Sequence, residues 1–226
     1  MLKMSVGVNL KFISWNCRGL QKLKKVKQVM NKIKDLDSKI VFLQETHLLN
    51  EEDKRVRRRW QGSVFTAPFS SRARGVMTLI HNTVPFQVKN VIRDKMGRYL
   101  IVQGSLLSEN LNLVNLYGPN IDDAKFFEDL TLTLSTFAGQ YIIAGDFNSM
   151  LNPSMDRSTG QDQSHNRCRT VIHQFIKDLS LLDIRRELKP QEKSFSCYSS
   201  VFQTYSRINY FFISSDLRSK INKITL

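Results

Sequence analysis

The sequence predicts one α+β (mixed α/β) domain over residues 1–226, built on a mixed β-sheet. Three observations lead there. Strand-like and helical segments interleave throughout, no proline-glycine linker, repeat or low-complexity tract divides the chain, and three separate apolar strands end abruptly in polar clusters. With 226 residues, 41% hydrophobic and 24% charged, the chain can bury roughly two thirds of its unfolded surface and is neither disordered nor fibrous.

Taken in order, VNLKFISWN reads as a strand that stops at Asn16-Cys17-Arg18-Gly19. A helix follows, because Leu23, Val26, Met30 and Ile33 recur at steps of three and four while Lys22, Lys24, Lys25, Lys27 and Lys32 cover the remainder. That lysine run is open to two readings, a solvated helix face or direct contact with phosphate. KIVFLQET is a short apolar strand ending in Gln44-Glu45-Thr46. Beyond the charged segment with Lys54, Arg55, Arg57, Arg58 and Arg59, the chain passes through SVFTAP and the turn SRARG into the strand GVMTLIHN.

FQVKNVI, RYLIVQGSLL and LNLVNLYG then form an expected antiparallel meander, broken at Gly97 and at Glu109-Asn110. A second helix follows Pro119 and Asp122 on Phe127, Leu130, Leu134 and Phe137, and the strand QYIIAGDFN ends in the third polar cluster. After the turn-rich SMLNPSMDRSTGQDQSHN, a third helix presents Val171, Ile172, Phe175, Ile176 and Leu179 on one face. SFSCYSS and TYSRINYFFISS close the chain as two strands joined by a tight connection.

Thirty-four Lys and Arg against twenty Asp and Glu leave a formal net charge of +14, and the pI is about 9.9. Such a surplus attracts polyanions, and nucleic acid ranks ahead of a membrane because no amphipathic anchor accompanies the charge. No segment approaches the roughly 20 apolar residues that span a bilayer, and MLKMSVGVNLKFISWN lacks the apolar core of a signal peptide, so neither membrane insertion nor secretion is expected. Cys17, Cys168 and Cys197 are odd in number and outside CxxC spacing. They are expected as ordinary thiols in a reducing compartment, not as metal ligands.

Polar residues at strand ends can converge at one sheet edge on a rigid support. Here those ends carry Asn16, Glu45, Tyr117 with Asn120, Asp146 with Asn148, and then Ser196 and Asn209. Hard oxygen donors, amides and a phenol suit Mg²⁺ or Mn²⁺ beside a phosphate, and no comparable cluster suits zinc. Glu45 would hold a divalent cation with Asn16 behind it, Asp146 would orient or deprotonate a water, and Asn148 would donate to a nonbridging oxygen. Tyr117 would hydrogen-bond the phosphate or leaving group, and Arg74 would touch a DNA backbone.

Each residue also has an ordinary reading. Glu45 fits a surface carboxylate, Asp146 a turn cap, Tyr117 a ring packed over Gly118-Pro119, and Asn16 and Asn148 turn positions. Their repetition at successive strand ends favours a site. His47 and His81 read as strand-end or surface histidines, while His165 and His173 fall in the turn-rich stretch and a helix, so no histidine is placed as a general base. Asp156-Arg157 reads as a loop ion pair or a local support for the site.

The ordered series SWNCRG, FLQETH, RGVMTLI, NLYGPN, IAGDFN, MDR and YSRINYFFIS resembles the endonuclease/exonuclease/phosphatase superfamily, especially the apurinic-like endonuclease domain of non-LTR (LINE-type) retrotransposons. Any one motif is weak, but the set covers nearly the whole chain in family order. The resemblance implies a four-layer α/β/β/α sandwich and Mg²⁺- or Mn²⁺-dependent nicking of DNA, whose 3′ hydroxyl primes reverse transcription. It further implies a monomeric domain within a polyprotein carrying reverse transcriptase, acting in the nucleus after passage through the cytoplasm. By motif match, Asn16 and Glu45 correspond to the family's amide and metal-binding glutamate. Tyr117, Asp146 and Asn148 match its phosphate-handling and water-orienting residues, Asn120 its Tyr-x-Pro-Asn asparagine, and Arg74 a strand-start motif.

Two departures imply impaired catalysis. Asn209 stands where the family pattern Ser-Arg-Ile-Asp-Tyr has an aspartate that partners a catalytic histidine, and Ser196 replaces the usual threonine while keeping a hydroxyl. An amide cannot compensate an imidazolium charge. The family's final Ser-Asp-His motif lies roughly two dozen residues beyond that aspartate, and the sequence ends at Leu226 before it, so the domain is expected to be C-terminally truncated. Loss of a positioned acid-base group costs about 10²- to 10⁴-fold. The expected function is a metal-dependent DNA endonuclease with reduced activity. The alternatives are a noncatalytic DNA-binding remnant and a phosphomonoesterase acting on a phosphoinositide or nucleotide.

Overall fold

Residues 1–5, 9–49, 51–160 and 166–225 are described by the computed structural model. Val8, the first residue of the expected opening strand, and His165 lie outside them. The chain runs β1 (Leu2–Ser5), β2 (Asn9–Asn16), α1 (Leu23–Asp35), β3 (Ile40–Gln44), α2 (Lys54–Arg57), β4 (Gly62–Ala67), β5 (Val76–His81), β6 (Phe86–Arg93), β7 (Tyr99–Leu106) and β8 (Glu109–Tyr117). It continues through α3 (Ala124–Ser135), β9 (Gln140–Asp146), α4 (Pro153–Asp156), α5 (Arg167–Asp178), β10 (Leu181–Asp183), α6 (Ile184–Leu188), β11 (Cys197–Ser199), β12 (Thr204–Ser206), β13 (Asn209–Ser214) and, after a 3-10 turn, β14 (Ile221–Ile224).

Side-chain alternation explains why β3 and β9 are apolar along almost their whole length. Ile40 and Phe42 point into a core shared with Leu100, Leu113, Ile142 and Ala144, whereas Val41 and Leu43 pack under Val26, Met30 and Ile33 of α1. On β9, Ile142 and Ala144 face that shared core while Tyr141 and Ile143 meet Phe127, Leu130 and Leu134 of α3 and Phe175 of α5. A strand covered on both faces has no polar side to show. The result is two mixed six-stranded sheets, β14-β1-β2-β3-β5-β4 and β10-β13-β9-β8-β7-β6, face to face between outer helices. This is the expected four-layer sandwich. The β6-β7-β8 meander is antiparallel as predicted.

The structure adds elements the sequence reading did not expect, β4, β10 and β14 and the short helices α2, α4 and α6, and it differs at the first and last predicted strands. A short strand, β1, precedes the expected opening strand and pairs antiparallel with both β2 and β14. The last predicted strand is two: β12 pairs with β11 as a ribbon, and β13 joins the second sheet. The break falls at Arg207, only 1% exposed, whose guanidinium turns inward to the carboxylates of Asp156 at 2.8 Å and Asp183 at 2.5 Å. Burying that charge requires paired partners, which a regular strand would not reach. Among the described residues no helix is long and apolar enough to cross a membrane.

Candidate active site

Two strand ends meet in the first sheet. β2 and β3 run parallel with Asn16 opposite Gln44. The chain after Asn16 is fastened to the end of β3, where the amides of Cys17, Gly19 and Leu20 donate to the carbonyls of Gln44, Glu45 and Thr46 at 2.8, 2.7 and 2.8 Å. Glu45 takes the left-handed conformation, φ 49°, and its Oε1 accepts from Asn16 Nδ2 at 2.7 Å. Behind this edge Gln44 Nε2 donates to Asn115 Oδ1 at 2.8 Å, and Asn115 Nδ2 donates to the Met77 carbonyl at 2.9 Å. These buried amides fix the two sheets in register immediately below the site.

In the second sheet the register places Tyr117, Asp146 and Asn209 side by side across β8, β9 and β13. Gly118 donates its amide to the Asp146 carbonyl at 2.7 Å, and Asn148 Nδ2 donates to the Gly118 carbonyl at 2.9 Å. Only glycine allows this approach, since a Cβ on Gly118 would stand 2.5 Å from the Phe147 carbonyl oxygen. Asn148, at φ 50°, also donates its backbone amide to Asp146 Oδ1 at 3.0 Å.

The sheets are joined at this edge by Asn16, whose Nδ2 also donates to Asp146 Oδ2 at 2.9 Å. Asn16, Glu45, Asp146, Asn148 and Tyr117 thus form one cluster, as the strand-end pattern predicts. Burial pushes the Asp146 carboxyl up and Glu45 adds to it, against the hydrogen bonds from Asn16 and Asn148 and the charge of Arg18; the net shift is upward. Burial, followed by the charge of Glu45 and its hydrogen bond with the phenol, pushes Tyr117 up to about 12, so the phenol keeps its proton at neutral pH.

The remaining candidates stand around this cluster. Asn209 donates Nδ2 to Ser196 Oγ at 3.0 Å, and the same hydroxyl accepts from the backbone amides of Ile208 at 3.1 Å and Asn209 at 3.2 Å. Asn120 is exposed on the turn after Pro119 and makes no hydrogen bond among the described residues. Arg74 accepts at its carbonyl from His47 N at 3.0 Å, but its guanidinium lies over the Phe69 ring, 4.4 Å from the centroid. It borders the cluster without entering it.

Three features escaped the sequence reading. His47 is a strand-end residue as expected, yet its side chain is only 14% exposed and its Nε2 lies 3.4 Å from Glu45 Oε2. Arg98, beside Arg74 and Tyr117, brings a second cation to the same border, and only its position before the Tyr99 strand was available as a signal. Asp156 pairs with Arg207 and with Arg186 at 2.7 Å, partners too distant in sequence to infer from the Asp156-Arg157 dipeptide.

Among the described residues no three His, Cys, Asp or Glu side chains form a metal cage. The donor set nevertheless suits Mg²⁺, which is commonly held by one or two carboxylates with water and substrate phosphate completing the shell. Glu45 and Asp146 supply two carboxylates on either side of one amide. Burial pushes the Cys17 and Cys168 thiols up to about 12.

Residues 13–220 match the Endonuclease/Exonuclease/phosphatase family. The chain belongs to that family. A curated relative, the "Transposon TX1 uncharacterized 149 kDa protein" of Xenopus laevis, is 29% identical over 218 residues; the match covers 93% of this chain but only 16% of the relative's length. Among solved structures, the Xenopus laevis APE2 catalytic domain superposes with a TM-score of 0.76 at 20% identity, covering 92% of this chain and 83% of its own. The AP endonuclease LMAP of Leishmania major gives 0.73 at 21%, covering 93% and 80%. An AP endonuclease of Archaeoglobus fulgidus gives 0.73 at 18%, covering 93% and 88%. At these identities the structures establish a shared fold.

Proposed function

We propose that this Endonuclease/Exonuclease/phosphatase domain is a DNA endonuclease that hydrolyses one phosphodiester bond at a time, nicking a target for insertion of a transposable element. The observation that carries the reading is the Asn16 amide held between Glu45 and Asp146. It concentrates two carboxylates at one edge, beside a protonated phenol and the Asn148 amide. The transposon relative favours DNA over a small phosphate ester, and so does the net charge of +14.

Glu45, with Asp146 beside it, would hold Mg²⁺ or Mn²⁺, which when bound polarises the phosphoryl oxygen and offsets charge developing there. Asp146 has both carboxylate oxygens tied, to Asn16 and to the Asn148 amide, and uses their free lone pairs to orient a water. The upward push on its carboxyl makes it a stronger base than an exposed aspartate. Tyr117, now hydrogen-bonded with Glu45, would turn its proton to the phosphate, and Asn148, beside the phenol, would then offer an amide hydrogen to a nonbridging oxygen. Arg74, Asn120 and Ser196 would contact the substrate.

Asn209 would lower the rate. Its amide nitrogen is committed to Ser196, and beside Asp146 it brings no carboxylate. The domain would act as a monomer within a larger polyprotein bearing reverse transcriptase, on nuclear DNA.

Conversion of supercoiled plasmid to open circle with Mg²⁺, Mn²⁺ or chelator tests this directly. The chain should nick slowly with metal, Glu45→Gln should not nick, and Asn209→Asp should nick faster. Salt-sensitive DNA binding with no cutting by any folded version would assign a binding remnant instead. Release of phosphate from nucleotides or phosphoinositides without nicking would assign a phosphomonoesterase.

A further inference from the structure

A second cleft, of about 800 Å³, opens at the other end of the first sheet. Ser38 and Lys39 on its floor precede β3, whose far end carries Glu45, so the strand's rise separates the two sites by roughly 17 Å. One wall is the α1 face with Lys27 and Lys34, two turns apart, and the other holds Arg59, Trp60 and His81.

The charges here are uneven. Lys39 is matched by Asp37 at 2.9 Å, and Asp37 also takes Lys11 at 3.2 Å. Lys27, Lys34 and Arg59 are exposed and make no ion pair among the described residues. The sole acidic group of the cleft is therefore spent, and three cations surround it uncompensated.

Between those cations lies a fixed aromatic surface. Trp60 Nε1 donates to the Ile80 carbonyl at 3.2 Å, and its ring meets His81 edge-on with centroids 5.4 Å apart. With its polar atom engaged and the ring partly packed on the core, the indole lends the cleft apolar aromatic surface. Burial and then Lys39 hold His81 below the ordinary histidine value, so its ring stays neutral at neutral pH. Ser38 Oγ, buried at the floor, has no hydrogen-bond partner among the described residues.

Unpaired cations spaced about an aromatic platform fit an unpaired polynucleotide strand, which offers phosphates and exposed base faces together. A duplex hides those faces, and a simple polyanion has none. We infer that this cleft is a binding site for single-stranded nucleic acid, separate from the nicking edge, with Lys27, Lys34 and Arg59 on the phosphates and Trp60 under a base. The inference is independent of the proposed nuclease activity.

A Trp15→Phe background leaves Trp60 as the one tryptophan, and its fluorescence is followed in chelator as oligothymidylate or oligouridylate is added. Saturable quenching is expected with at least one of the two, and their relative affinities distinguish DNA from RNA as the preferred strand. Polyphosphate should compete without quenching. In Lys27→Gln/Lys34→Gln/Arg59→Gln, with an unchanged melting curve, the slope of log affinity against log salt should flatten by about 2, from about 0.7 per lost contact. Glu45→Gln should leave quenching unchanged, so loss of nicking and loss of this site are read separately. The inference is overturned if neither oligomer quenches, if a matched duplex quenches as strongly, or if the triple variant keeps the parent's affinity and slope.

Discussion

Asn16 donates its side-chain amide to Asp146 at 2.9 Å across 130 positions of chain, joining the edges of two different sheets. The same nitrogen reaches Glu45 at 2.7 Å, so both of its hydrogens are committed to carboxylates. A neutral donor is the residue that can serve both without adding charge.

Replacing that donor should therefore cost stability before chemistry is considered. Asn16→Ala is expected to lower unfolding free energy by about 1–3 kcal/mol, because the buried Asp146 carboxylate loses a hydrogen bond without gaining water. Asn16→Asp should cost at least as much in chelator and be rescued by Mg²⁺ more than the parent chain is. Urea unfolding with and without metal measures both, and an Asn16→Ala protein of unchanged stability would mean the bridge is not made in solution.

Tyr117 bears on the reaction's pH dependence. With its phenol pushed up to about 12, it donates throughout the neutral range, and no loss of rate from tyrosine ionisation should appear there. Tyr117→Phe is expected to lower kcat about 10²-fold, the typical cost of removing one positioned donor. The shape of the pH profile should be retained. A falling limb that disappears in the Phe variant would contradict the assignment.

Arg74 is expected to position DNA without entering the chemistry. Phe69 holds the plane of its guanidinium, and Nη1 is buried without a hydrogen-bond partner among the described residues, so a phosphate would be met by the other nitrogens. Arg74→Ala should weaken duplex binding and reduce the salt slope by about 0.9, the value for one phosphate contact. The nicking rate at saturating DNA should change little. Titration of a labelled duplex at several salt concentrations separates this outcome from loss of a catalytic group.

What could be read from the sequence was whatever local pattern records. The apolar runs of β3 and β9 and the step-three-and-four spacing of α1 specify elements, and their abrupt polar ends at Glu45 and Asp146 specify where a site gathers. Partners distant in sequence leave no such trace. The Trp60-His81 platform and the buried Asp156-Arg207 pair arise from sheet order, and the split at Arg207 overrode an otherwise continuous strand pattern.

That buried pair gives the domain a defined acid response. Asp156 is fully buried, with Arg207 at 2.8 Å and Arg186 at 2.7 Å, and the Tyr210 hydroxyl lies 3.2 Å from its carboxylate. The same hydroxyl accepts from Leu151 N at 3.0 Å and lies 3.1 Å from the Ser149 carbonyl, which ties the segment following Asn148 to the pair. Burial alone would push the carboxyl up, but the Arg207 hydrogen bond and charge, with help from Asn152 and Arg186, hold it below its ordinary 3.8. A depressed folded value means the stabilisation is complete above the unfolded value and is lost as pH falls through the folded one. Below pH 3.8 the parent should therefore lose stability more steeply than Asp156→Asn, which starts lower at neutral pH but lacks this titration. Asp156→Ala should cost about 3 kcal/mol at neutral pH, the lower end for breaking a buried pair, because Asp183 still partners Arg207. Thermal unfolding of the three proteins across the acid range decides the matter, and parallel curves for parent and Asp156→Asn would show that the carboxylate is not ionised in the fold.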